Sequence, residues 1–175
     1  METNLIPLIS QDEIAAAVER LAAELDRDYR RRPPLLVGVL KGGFIFLADL
    51  IRRMKTPLTG VEFLRVSSYG SARISSGKAR VLMGVPRQVI QGRDVIVVED
   101  IIDTGLTTTA VLRYLLRRHP ATLRVCTLLD KPARRRTPVQ VDYVGITVPD
   151  RFLVGYGLDL GERYRQLPDI YTLED

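Results

Sequence analysis

The sequence has a single cysteine, Cys126, so no intrachain disulfide can form, and its place in the apolar stretch 123–129 predicts a buried thiol. No apolar run approaches the ~18 residues of a membrane-spanning helix. Residues 1–10 carry Glu2 and no long apolar leader core. These absences give the expectation of a reducing, cytoplasmic setting without a membrane partner. Internal repeats are missing, as is an aromatic-interleaved basic platform for nucleic acid. The low hydrophobicity of disordered chains is missing too: 46% hydrophobic and 27% charged residues are globular proportions. The length, 175 residues, predicts one domain spanning 1–175. Lys and Arg number 26 against 21 Asp and Glu, and the resulting +5 favours anionic partners without naming them.

What is present alternates between two periodicities. Ser10 and Glu13 have the spacing in which each satisfies the other's free backbone donor at a helix start. Ile14, Val18, Leu21 and Leu25 then recur at helical spacing, and Pro33-Pro34 ends the helix near 30–32. Residues 35–40 form an apolar run of the kind buried on both faces of a parallel sheet. A helix over 44–54 and strands over 61–67, 79–85, 94–98, 123–129 and 141–147 follow, with another helix reaching about 118. The segment rich in Ser and Gly, about 67–79, reads as a mobile loop. Alternating strands and helices predict an α/β fold around a mostly parallel central sheet, with ligands gathered beyond the strands' carboxyl ends.

The stretch 95–109, VIVVEDIIDTGLTTT, concentrates the chemistry. A buried strand delivers Glu99, Asp100 and Asp103 into Thr104-Gly105-Leu106-Thr107 and a helix start. Gly105 lets backbone amides approach closely, Thr104 and Thr107 can donate, and the helix N-terminus adds partial positive charge, which suits a monophosphate. Three carboxylates beside an apolar strand require a partner such as Mg²⁺, sugar hydroxyls or a developing cation. The glycine spacing and lysine of nucleoside-triphosphate loops are absent.

This stretch resembles the phosphoribosyl pyrophosphate signature of type I phosphoribosyltransferases. Leu40-Lys41-Gly42-Gly43, Ser67-Ser68-Tyr69-Gly70, Leu129-Asp130-Lys131 and the block from Pro149 to Tyr156 occur in an order and spacing similar to the hypoxanthine-guanine phosphoribosyltransferase family. The resemblance spans roughly 5–171. It implies the family fold, with a small hood formed by the N- and C-terminal segments. It also implies purine salvage, in which phosphoribosyl pyrophosphate and hypoxanthine or guanine, with xanthine left open as a third base, give the nucleotide and pyrophosphate.

The resemblance further implies site roles. Asp103 matches the general base. Glu99 and Asp100 match the pair that meets ribose hydroxyls and Mg²⁺, with Asp159 near a second metal and the purine edge. Thr104, Gly105, Leu106 and Thr107, joined by Thr108, match the 5′-phosphate cradle; Leu106 stands where some relatives have Lys. Lys41, Gly42, Ser68, Tyr69 and Arg165 match the pyrophosphate site, including a non-proline cis peptide between Leu40 and Lys41. The loop beginning at Ser68 and Tyr69 matches a catalytic lid. Lys131 matches the group that donates to a purine O6, which an ammonium can do and which disfavours a 6-amino base. Phe152 matches a base-stacking ring and Leu153 a backbone contact to the base edge. A homodimer or homotetramer is implied as well. His119 is read as complementing a helix end, and Arg30–32 and Arg134–136 as solvated basic faces. A second reading is an RNA-binding regulator built on the same fold.

Overall fold

The start of the first helix is fixed by the reciprocal cap: the Ser10 side-chain oxygen accepts from the Glu13 amide at 3.3 Å, and the Ser10 amide donates to Glu13 Oε2 at 2.8 Å. The computed structural model describes residues 4–67 and 79–173. In chain order it contains β1 (Leu5–Ile9), α1 (Gln11–Tyr29), β2 (Leu35–Leu40), α2 (Phe44–Arg53), β3 (Gly60–Ser67) and β4 (Arg80–Met83). There follow α3 (Arg87–Ile90), β5 (Asp94–Ile102), α4 (Leu106–Leu116), β6 (Thr122–Asp130), β7 (Tyr143–Thr147), β8 (Leu153–Val154) and β9 (Ile170–Leu173).

Six strands form one sheet in the order β4-β3-β2-β5-β6-β7, parallel except for β4, which runs antiparallel to β3 at the edge. Because side chains alternate along a strand, β5 divides its residues between two cores. Ile96 and Val98 pack with Leu21, Leu25, Phe46 and Leu50 of α1 and α2. Val95 and Val97 pack with Ile90, Val111 and Leu115 of α3 and α4. This explains why the strands read as unbroken apolar runs. A second, antiparallel sheet in the order β1-β9-β8 joins the two ends of the chain as the expected hood. The Gln11 amide, donating to Asp169 Oδ1 at 2.6 Å, ties the hood to the start of α1.

The structure corrects several boundaries. β5 runs through Ile102 rather than ending at residue 98, because its ladder with β6 continues to the pair Ile102 and Asp130. Glu99 and Asp100 therefore sit on a strand, where they point to opposite faces, rather than in a loop. The edge strand shortens to Arg80–Met83, and the next residues lead into the single turn of α3. α4 stops at Leu116, two residues early, and His119 adopts a positive φ of 55°. The segment 131–138 contains a 3-10 turn at Pro132–Arg134. The expected lid, with Ser68 and Tyr69, lies outside the described residues. Cys126 is buried as expected. No described helix is long and apolar enough to cross a membrane.

Removing the cap isolates its contribution. Ser10→Ala should destabilise the protein by about 1 kcal/mol, read by calorimetry as a Tm fall of roughly 2–4 °C for a chain of this size.

Candidate active site

The end of β5 turns sharply into α4 at Gly105, whose φ of 81° is left-handed, and a Cβ there would lie 2.6 Å from the Thr137 carbonyl oxygen. Only glycine fits both conditions. The first-turn amides of α4 lack intrahelical acceptors, and the Leu106 amide donates to Thr104 Oγ1 at 3.4 Å. The expected cradle is thus a tight turn opening a helix.

Strand alternation sends the two acids apart. Glu99 faces α4, where its Oε2 accepts from Thr108 Oγ1 at 3.2 Å, while its Oε1 is buried without a hydrogen-bond partner among the described residues. Burial, reinforced by the charge of Asp100, pushes the Glu99 carboxyl up to about 8 against the opposing Thr108 hydrogen bond and Arg135 guanidinium. Asp100 faces the start of α2, so close to Gly42 that a Cβ on that glycine would collide with its carboxylate. Burial raises Asp100 to about 6; backbone hydrogen bonds and Arg165 oppose the rise, and Asp159 adds to it. A buried Glu99 biased toward the protonated form, with a half-buried Asp100 beside it that ionises less readily than a free carboxylate, marks a place that a cation would stabilise. Asp103 has its Oδ1 buried and, among the described residues, without a hydrogen bond, 3.6 Å from Arg134 Nε.

The opposite wall comes from the turn after β2 and from the C-terminal segment. The Leu40–Lys41 peptide is cis, as the resemblance implied. Gly157, with φ of 97°, brings its α-carbon against the Gly42 carbonyl so closely that no side chain could be accommodated. Arg165 braces that contact by donating to the Gly157 carbonyl at 2.7 Å and pairing with Asp159 at 2.8 Å. Lys41 Nζ lies 2.8 Å from Glu162 Oε2.

These walls enclose a cavity of about 730 Å³. Glu99, Asp100, Asp103, Thr104, Gly105, Thr107 and Thr108 line one side. Lys41, Gly42, Leu153, Asp159 and Arg165 line the other. Residues from the stretches 39–42, 65–67, 82, 99–108 and 153–165 therefore meet at this cavity. Leu106, Lys131 and Phe152 are not brought to the cavity wall. Lys131 is buried and donates to the Arg151 carbonyl at 2.6 Å, and the Phe152 ring is half exposed beside Leu153. Ser68 and Tyr69 lie outside the described residues.

Arg65 and Glu162 also line the cavity and were not singled out by the sequence reading. Arg65 sits opposite Leu40 in the β2–β3 ladder, at a strand's carboxyl end, which is the signal that could have found it. The solvated-face reading of Arg134–136 holds for the exposed Arg134 and Arg136 and is corrected at Arg135. Arg134 pairs with Asp103 and, at 3.5 Å, Asp150; Arg135 is largely buried and pairs with Asp130. A run of three like residues carries no periodicity that reveals which ones turn inward.

No three described His, Cys, Asp or Glu side chains gather into a metal cage. A divalent cation held by one or two carboxylates and by substrate oxygens fits this arrangement, as is usual for Mg²⁺. The Glu99 shift has a consequence for stability. Between about 4.5 and 8 the folded form keeps a proton that the unfolded chain has lost, so the ligand-free protein loses stability as pH rises. Glu99→Gln should match wild type near pH 4.5 and exceed it at pH 8 by about 1 kcal/mol or more, a Tm gain of roughly 2–4 °C.

Comparisons with known proteins agree with this geometry. The phosphoribosyl transferase domain family model matches residues 10–160. A hypoxanthine-guanine phosphoribosyltransferase of Bacillus subtilis is 45% identical over 167 residues, covering 95% of this chain and 92% of its own length. The Mycobacterium avium protein of the same name is 48% identical over 173 residues, covering 95% and 84%. A crystal structure of the Bacillus anthracis enzyme superposes with a TM-score of 0.90 at 41% identity, over 99% of this chain and all of that one. A cavity built from an acidic strand end, a glycine turn and a docked C-terminal loop is thus accompanied by full-length similarity, and the chain belongs to the phosphoribosyltransferase family, among the hypoxanthine-guanine phosphoribosyltransferases.

Proposed function

We propose that this chain transfers the 5-phosphoribosyl group of phosphoribosyl pyrophosphate to N9 of hypoxanthine or guanine, giving the nucleoside monophosphate and pyrophosphate. The observation that carries this reading is the single cavity shared by the Gly105 turn, the acids of β5 and the Lys41 and Arg165 cations. Each end of the reaction has its counterpart there. The N9–C1′ bond forms as the C1′–O bond to pyrophosphate breaks, leaving positive charge on C1′ and the ring oxygen and negative charge on the departing group. Lys41 and Arg165 would meet the departing anion with fixed positive charge, and Glu99 and Asp100, ionised once a cation is bound beside them, would meet the ribose.

The Gly105 turn would hold the 5′-phosphate through amides and the Thr104 and Thr107 hydroxyls. This scheme leaves Leu106 a backbone role only. Asp103 would accept the purine N7 proton as N9 attacks, with Arg134 at 3.6 Å holding its orientation. Lys131 spends one of its three donors on the Arg151 carbonyl, and the others are available to a purine O6. Phe152 and Leu153 would flank the base. Glu99, Asp100 and Asp159 would hold Mg²⁺, which when bound supplies positive charge beside the phosphate oxygens.

We further propose a cytoplasmic homodimer or homotetramer, on the family resemblance. The relatives described above are phosphoribosyltransferases, which leaves the RNA-binding alternative without support.

Activity is tested by incubating the protein with phosphoribosyl pyrophosphate, Mg²⁺ and each of guanine, hypoxanthine, xanthine and adenine. Nucleotide should form from 6-oxopurines and not from adenine; no product with any base refutes the proposal. The base assignment is tested separately. Asp103→Asn should lower kcat by about 10²- to 10⁴-fold while its Kd for GMP stays within about threefold of wild type. Turnover near the wild-type rate would reject Asp103 as the base.

A further inference from the structure

Two of the cations that line the cavity, Lys41 and Arg165, share one acid. Glu162 Oε2 lies 2.8 Å from Lys41 Nζ, and Glu162 Oε1 lies 3.4 Å from an Arg165 terminal nitrogen. One carboxylate thus spans two cations that come from chain segments 121 and 3 residues away. Its backbone is held for this purpose. Glu162 takes a left-handed φ of 70°, uncommon for a residue with a side chain, and its amide donates to Asp159 Oδ2 at 2.8 Å. Asp159 in turn pairs with Arg165.

The pairs do little for the fold. The Glu162 side chain is 64% exposed and that of Lys41 45%, and exposed pairs contribute little to stability. Arg165 keeps its Gly157 carbonyl and Asp159 contacts whether or not Glu162 is charged. What Glu162 does control is the electrostatic state of the cavity wall. In the described structure it places negative charge against the two groups that, on the reading of the site given above, meet the pyrophosphate.

We propose that Glu162 is a built-in counter-ion: it occupies Lys41 and Arg165 in the empty site and yields them to pyrophosphate, so that it lowers the affinity for that anion. An entering pyrophosphate carries several negative charges and can span both cations, so it displaces a single carboxylate. A smaller anion of lower charge recovers less in the exchange. The same competition speeds release of pyrophosphate as product. This inference rests on the assignment of Lys41 and Arg165 as the pyrophosphate groups.

The test compares wild type with Glu162→Gln, which keeps the shape and removes the charge. Glu162→Asn serves as a second neutral variant because Asn tolerates left-handed backbone well. Titration calorimetry in Mg²⁺ buffer measures Kd for pyrophosphate and, separately, for GMP. Both variants should bind pyrophosphate about three- to tenfold more tightly than wild type, the range expected for removing one exposed competing charge. GMP, which lacks the pyrophosphate, should bind all three proteins within about twofold. Unchanged or weaker pyrophosphate binding by the variants, with wild-type binding intact, overturns the counter-ion proposal and leaves the site assignment standing. Failure of all three proteins to bind pyrophosphate while GMP binds overturns the assignment of Lys41 and Arg165, and the proposal with it.

Discussion

The constraint on which the rest depends is electrostatic: acids must sit at the end of a strand buried on both faces, within reach of a turn built to attract a phosphate. Burial raises Glu99 and Asp100 to about 8 and 6. At neutral pH Glu99 is held mostly protonated in the ligand-free site, and Asp100 ionises less readily than a free carboxylate. The sheet resolves part of the conflict by geometry. Alternation turns Glu99 toward Thr108 on α4 and Asp100 toward Gly42 at the start of α2, so the two carboxylates do not confront each other across one face. The remainder is left for ligands to resolve, and this makes the end of β5 a binding site instead of a structural defect.

The second sheet contributes by holding the far wall in place. β1, β9 and β8 pin the C-terminal segment to the start of α1. That anchoring lets Gly157 press against Gly42 and sets Arg165 beside Asp159. Gly157 is needed because its backbone meets the Gly42 carbonyl within side-chain distance, and Gly42 because the Asp100 carboxylate lies against it. The hood therefore acts on the site through the contact of Gly157 with Gly42, residues more than 100 positions apart in sequence.

Much of this was legible from the residues. The Ser10 and Glu13 spacing, the 35–40 run and the Thr104-Gly105 turn each carry a local physical signal, and the structure places them where those signals point. The Leu40–Lys41 peptide and the hood followed from family resemblance, since nothing local distinguishes the short, partly exposed β1 or β9. The extent of β5 was missed because Glu99 and Asp100 look like loop residues, and only pairing with β6 keeps them in a ladder. Glu162 was missed for a related reason, since its importance comes from Lys41, far along the chain, whereas Arg135 pairs with the nearby Asp130 but sits in a run of identical charges. Tertiary contact, not propensity, decides which of several identical charges turns inward.

The central claim is that the Gly105 turn grips a nucleotide's phosphate while the acids of β5 face its ribose. A crystal structure of the protein with bound GMP measures this directly. The phosphate oxygens should lie within hydrogen-bond distance of the first-turn amides of α4, and the ribose hydroxyls toward Glu99 and Asp100. A phosphate seated on another part of the surface, with this turn free of ligand, would contradict it.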